Sequence, residues 1–293
     1  MDNNRLAALV LILTAFLGCA GLAEARDSSL CAQKDPTGLA AGAKPEPCPE
    51  AKGEPATASA AQPVLRHDAA ATTPVIAGPI THARHFVYRL LRPEAPSTET
   101  IVLLHGSGGD EASLFKLALR VAPDATLLGV RGRIVQKGIK RWYARITPTE
   151  FDQADIRKEA KAFVDFLKSR MAAEKLDLEH TVFIGYSNGA NLIAAVSLLY
   201  PGLIERAVLL RAMPVLTKAP ETDLRRVRFL TVSGEKDRIY APFAPVLEAL
   251  LRNRGATVDA RQVAAGHLLG DEDVKVVSDW LSAADMMAGD TKQ

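Results

Sequence analysis

Hydrophobic positions follow three different rules along this 293-residue chain. After Arg5, the stretch Leu6 to Phe16 is apolar almost without a break. From 26 to about 80, large apolar residues are sparse among Ala, Pro, Gly, Lys and Glu. From His85 onward, short apolar runs alternate with longer stretches in which apolar residues recur at three- and four-residue spacing, as at Phe163, Phe166 and Leu167. The short runs predict strands over His85 to Leu90, Thr100 to Leu104, Ala125 to Val130, Thr181 to Gly185, Ala207 to Leu210, Arg228 to Ser233 and Thr257 to Val263. The longer ones predict helices over Glu111 to Val121, Gln153 to Glu174, Asn188 to Tyr200, Pro242 to Asn253 and Asp271 to Ala284. Such alternation is that of an α/β fold: a mostly parallel central sheet with helices on both faces. Fewer than twenty residues separate Leu210 from Arg228, which leaves no room for a cap domain and predicts an open site. The expected organisation is a signal peptide at 1–25, a flexible Ala/Pro-rich linker at 26–80, a catalytic domain at 81–287 and a disordered tail at 288–293.

The leader changes the picture of where the domain works. A positive residue, an apolar core and Ala23-Glu24-Ala25 form a secretory signal with an A-x-A cleavage site, too short for a stable membrane span. A periplasmic or secreted location follows as an expectation. A rival reading takes Phe16-Leu17-Gly18-Cys19 as a lipoprotein box with Cys19 acylated, although Phe is unusual in its first position; only then is a membrane a partner. Cys31 and Cys48 form an even pair that an oxidising compartment would join in a disulfide, and two free thiols in a tail is the plainer alternative. The predicted catalytic domain has no cysteine, which excludes a cysteine nucleophile there. Charge is nearly balanced, 36 Lys+Arg against 34 Asp+Glu, and makes no case for a nucleic-acid partner.

Candidate chemistry centres on Gly185-Tyr186-Ser187-Asn188-Gly189, between the strand Thr181 to Gly185 and a small-residue helix. A serine in G-x-S-x-G spacing between strand and helix is the nucleophile elbow of α/β-hydrolases. The turn is so tight that the serine backbone is strained and side chains two positions away would collide. A chance match in a surface loop is the bland reading, and the strand–turn–helix context argues against it. The fold requires serine, then acid, then histidine. Of six histidines only His267 follows the serine, on a glycine-flanked loop after the last strand. The acid should lie just past Arg228 to Ser233, where Asp237 is the choice and Glu235 the competitor; either is also an ordinary turn residue. The loop His105-Gly106-Ser107-Gly108-Gly109-Asp110 after the strand Thr100 to Leu104 is where the fold places an oxyanion donor, assigned to the Ser107 backbone beside that of Asn188. His105 should brace this loop and Asp110 cap the helix after it.

These segments, together with Arg131-Gly132-Arg133, Arg141-Trp142-Tyr143, Val208-Leu209-Leu210-Arg211 and Gly266-His267, resemble the phospholipase/carboxylesterase family of α/β-hydrolases. The resemblance covers roughly residues 83 to 285 and is greatest to the small bacterial carboxylesterases related to acyl-protein thioesterases. It implies a serine esterase with Ser187, Asp237 and His267 as its triad. Members are usually compact and cytosolic, and the long preamble here departs from that.

The basic loop Arg131 to Ile146 leaves the carboxyl end of a strand, the face where α/β sheets bind ligands. Trp142 is a candidate wall of the substrate pocket, and Arg211 a candidate substrate contact near its mouth. A solvated loop with Trp142 packed for stability is the alternative. His82 and His85 are too few for a metal site, and neither metal nor cofactor is expected. The expected activity is that of an exported serine carboxylesterase acting on short-chain or aromatic esters as small-molecule substrates, with no expectation for oligomeric state. Alternatives are an envelope lysophospholipase, feruloyl-type or polyester esterase, and a catalytically silent hydrolase fold that only binds.

Overall fold

The computed structural model describes residues 78–290. The leader, Cys19, the Cys31–Cys48 pair, the linker up to 77 and residues 291–293 lie outside the described residues. Within them the chain forms β1 (Thr81–Ala83), β2 (Phe86–Leu91), β3 (Thr100–Leu104), α1 (Phe115–Val121), β4 (Thr126–Arg131), β5 (Ile134–Gln136), β6 (Ile139–Arg141), α2 (Gln153–Glu174), β7 (Thr181–Tyr186), α3 (Asn188–Leu199), β8 (Arg206–Leu210), β9 (Arg228–Gly234), a 3₁₀ turn (Ala241–Phe243), α4 (Ala244–Asn253), β10 (Thr257–Val263) and α5 (Asp271–Asp290).

Eight strands make one sheet in the order β1-β2-β4-β3-β7-β8-β9-β10. Only β1–β2 and β2–β4 are antiparallel; from β4 to β10 every pairing is parallel. The short apolar runs are continuous because both sheet faces are covered. In β3, Val102 and Leu104 join Phe163 and Leu192 of α2 and α3 on one face, while Ile101 and Leu103 join Phe115 of α1 and Trp280 of α5 on the other. Helix α3 is buried on every side from Asn188 to Leu198, which fits its run of Ala, Leu, Ile and Val. Between β8 and β9 the chain forms no helix or strand, so no cap domain is inserted there.

The elements differ from the sequence expectation at their edges. Helix α1 begins at Phe115, not Glu111: Asp110 Oδ1 accepts from the Ala112 N–H and the Ser113 hydroxyl and so closes a turn ahead of the helix. The helix expected from Pro242 opens as a 3₁₀ turn. Helix α5 runs to Asp290, past Ala284 and into the stretch read as a disordered tail. Two hairpins escaped the pattern. In one, β1 joins β2 through Arg84 and His85, both at positive φ. In the other, β5 and β6 turn at Lys137-Gly138, φ 51° and 77°, inside the basic stretch read as a loop. Positive φ at both turn residues suits a two-residue hairpin. These strands are three residues long and Val135 is exposed, so they bury no alternating face for sequence to reveal.

Candidate active site

The elbow is built by close approach of backbone to backbone. A Cβ on Gly185 would lie 2.6 Å from the Ala190 nitrogen, and one on Gly189 would lie 2.3 Å from the Leu104 carbonyl oxygen. Without those two glycines α3 could not start against the ends of β7 and β3. Ser187 is left at φ 49° and ψ −112°, a conformation that L residues rarely adopt and that must be over-determined by its surroundings. Its N–H donates to the Leu210 carbonyl (2.8 Å) and its carbonyl accepts the Asn191 N–H (3.0 Å), which fix it from both sides.

The three residues expected to act together do meet. Ser187 Oγ lies 3.0 Å from His267 Nε2, and His267 Nδ1 lies 2.6 Å from Asp237 Oδ2. Asp237 is buried and its other oxygen accepts the Tyr240 N–H, whereas Glu235 is exposed and does not reach the histidine. With Asp237 as acceptor, Nδ1 carries the proton and Nε2 faces the serine hydroxyl as an acceptor. The Tyr240 and Tyr186 rings lie 4.7 Å and 5.4 Å from the imidazole, centroid to centroid, and the Tyr186 hydroxyl donates to the His267 carbonyl (3.1 Å).

Ser107 and Asn188 line the same cleft as Ser187. Asn188 is the first residue of α3, where helix geometry leaves N–H groups without intrahelical acceptors. In the loop after β3, Gly108 and Gly109 spend their N–H groups on the Lys140 and Gly106 carbonyls. His105 braces that loop as expected: Nδ1 donates to the Gly106 carbonyl (2.6 Å) and Nε2 accepts the Gly132 N–H (2.9 Å). Burial drives its pKa from 6.5 down to about 4, so it stays neutral and keeps both bonds.

Two expected substrate contacts are corrected. Trp142 is only 1% exposed. Its indole N–H donates to the His105 carbonyl (2.9 Å), its ring packs against Phe86 and Phe163, and its backbone N–H donates to Asn188 Oδ1 (2.8 Å). It supports the elbow from the core and does not wall a pocket. Arg211 lines the cleft as expected, but its guanidinium is fully buried and turned away from the mouth. It pairs with Asp273 of α5 through two bonds of 2.7 Å and 3.0 Å, both side chains fully buried. Its Nε also donates to the Gly266 carbonyl (2.8 Å) and Nη2 to that of Leu268 (3.3 Å), which ties down the residues on either side of His267. The histidine loop and α5 are held by this bridge, which sequence reasoning missed. His82 lies in β1 and His85 in the adjoining turn, and among the described residues no group of three or more His, Cys, Asp and Glu is placed to hold a metal ion.

A hydroxyl aligned on a carboxylate-oriented imidazole, beside backbone donors, has the geometry for nucleophilic attack on a carbonyl. The α/β-hydrolase fold model matches residues 138–277, a span that includes all three of these side chains. A carboxylesterase structure from Mesorhizobium loti is 47% identical, with 70% of this chain and 99% of that one covered and a TM-score of 0.69. A carboxylesterase from Bacillus cereus is 30% identical, covering 68% of this chain and 94% of that one, TM-score 0.65. The Bacillus subtilis protein MhqD is 28% identical over 189 residues, 64% of this chain and 94% of its own length. With its sheet order, its elbow and near-complete coverage of a carboxylesterase at almost half identity, this chain belongs to the α/β-hydrolase fold family and is a hydrolase whose relatives include carboxylesterases.

Proposed function

We propose that this protein is a serine carboxylesterase acting through an acyl-enzyme, with Ser187 as nucleophile, His267 as general base and acid, and Asp237 as its orienting carboxylate. The observation that carries the reading is the continuous hydrogen-bonded line from Ser187 Oγ through His267 to Asp237 at a strained elbow. His267 Nε2 takes the serine proton as Oγ bonds to the ester carbonyl carbon, and the amides of Ser107 and Asn188 receive the oxyanion. Collapse breaks the bond from carbon to the alcohol oxygen, and the imidazolium protonates that oxygen as it leaves. Water then attacks the acyl carbon, gives its proton to His267 and releases the acid, and the serine recovers its hydrogen. The net change is ester plus water to acid plus alcohol.

The shallow cleft beside Ser187, with no helix or strand inserted between β8 and β9 to enclose it, supports short-chain or compact aromatic esters as substrates. Export to the periplasm or beyond is part of the proposal and is supported by the apolar leader and the Ala23-Glu24-Ala25 site.

Purified protein should hydrolyse p-nitrophenyl acetate and butyrate and be labelled by a fluorophosphonate probe. Ser187→Ala should lose at least about a thousandfold in kcat, the scale of triad deletions. A folded wild-type protein with neither turnover nor labelling would sink the proposal.

A further inference from the structure

The basic stretch between β4 and α2 treats its arginines in two ways. Arg131 and Arg133 are neutralised by buried glutamates: Arg131 Nη2 is 2.6 Å from Glu111 Oε2, and Arg133 Nε is 2.6 Å from Glu159 Oε2. Arg141 and Arg145 receive no such partner. Both line the cleft that holds Ser187, and neither forms an ion pair among the described residues. Arg141 is 8% exposed; its Nη1 donates to the Ser107 hydroxyl (2.8 Å), and its Nε is buried with no hydrogen-bond partner. Arg145 donates to the Thr147 carbonyl (2.9 Å) and reaches the Tyr240 hydroxyl (3.5 Å). Asp237, the acid of this neighbourhood, is already taken up by His267 and the Tyr240 N–H.

A buried cation without a counter-charge is costly, and the half-buried Arg145 in the same cleft repels the buried Arg141. Burial first, then the charge of Arg145, pulls the Arg141 pKa below its ordinary value; a guanidinium nonetheless stays protonated in a protein, so the cost is not relieved by losing the proton. An anion seated between them relieves both burdens, and the planar fork of arginine matches the two oxygens of a carboxylate, the smallest planar anion that a compact ester can carry. Within a wall that also holds Asn188, Asn191 and Tyr240, Pro148, Phe151 and Met213 supply apolar surface for a short spacer.

We infer that the preferred substrate is a compact ester carrying a second, free carboxylate, which Arg141 and Arg145 hold while Ser187 attacks the ester carbonyl. The inference rests on the esterase reading above and narrows its substrate class. The carboxylate belongs either to the acyl chain or to the alcohol, and two pairs of esters separate these sources. Monoethyl succinate against ethyl butyrate tests the acyl side, and 4-carboxyphenyl butyrate against 4-carbamoylphenyl butyrate tests the alcohol side.

In at least one pair, kcat/KM for the anionic ester should exceed that for its neutral counterpart by about tenfold or more at low salt, the scale of one charged hydrogen bond. That ratio should shrink as ionic strength rises. Arg145→Gln and Arg141→Gln should each cut it by about tenfold. Arg141 also braces the Ser107 loop, so Arg145→Gln keeps the test decisive if Arg141→Gln does not fold. Ratios at or below one in both pairs, from an enzyme that turns over the neutral esters, overturn this inference and leave the esterase reading standing. A preference that survives both substitutions overturns the assignment to these arginines. No turnover of any of the four esters overturns both readings.

Discussion

The bridge behind His267 permits a test that separates stability from catalysis. Arg211→Met removes a cation facing Asp273 across 2.7 Å and 3.0 Å, with neither side chain exposed to solvent. Breaking one side of such a pair leaves an uncompensated buried charge and costs about 3–5 kcal/mol, whereas replacing both sides by apolar groups is often nearly neutral. Gly266 is half-buried and Leu268 exposed as residues, so water is expected to take over at their carbonyls once the donor is lost. For a domain of this size the single variant should melt roughly 10 °C lower, at about 2–4 °C per kcal/mol. Arg211→Met with Asp273→Leu should recover most of that loss. Activity should behave otherwise, because neither variant ties Gly266 and Leu268 on either side of His267. A shift of about 1 Å in a catalytic group costs on the order of a hundredfold, so kcat should stay ten- to a hundredfold down in both variants with KM little changed. Thermal melts and steady-state kinetics of wild type, both single variants and the double variant provide the check. If kcat returns together with stability in the double variant, the bridge is only packing and does not position the histidine.

Two further outcomes follow from the same geometry. His105 has its pKa lowered to about 4, so the folded state resists a proton that the unfolded chain accepts from pH 6.5 downward. Its contribution is complete above pH 6.5 and falls by about 3 kcal/mol as pH drops to about 4; urea melts should show a shallower acid loss for His105→Gln than for wild type, and parallel curves would remove His105 from the account. Asp237→Asn should cut kcat by about ten thousandfold, since it misorients the imidazole tautomer, while Glu235→Gln should leave kinetics near wild type; the reverse ranking would reassign the acid.

The sequence marked the elbow well because its signal is local. Gly185 and Gly189 are required by atoms of the immediate turn and of the adjacent strand end, so five consecutive residues carry the constraint. Asp237 and Glu235 sit two positions apart in one loop, and nothing in their order tells them apart. The turn does: Asp237 is folded inward under Tyr240, and Glu235 faces water. Trp142 and Arg211 lie at the end of the sheet that the sequence points to, but the Trp142 ring and the Arg211 guanidinium turn into the core. The β5–β6 hairpin, invisible to hydrophobic periodicity, delivers Trp142 to the core against His105. Arg211 leaves β8 at φ 55°, and its partner lies 62 residues further on.

A residue type at a strand end therefore predicts where chemistry gathers, but its role depends on which distant groups close around it. Arginine makes the contrast plainly in this chain. Arg211 meets a buried aspartate and becomes part of the scaffold, whereas Arg141, also buried, meets a serine hydroxyl and no carboxylate. The two could not be told apart from the sequence, because charge compensation is decided by chain segments brought together only in the fold. A buried arginine left uncompensated beside a nucleophile carries a cost that the protein itself does not offset, and a substrate carboxylate is the group whose charge and shape can offset it.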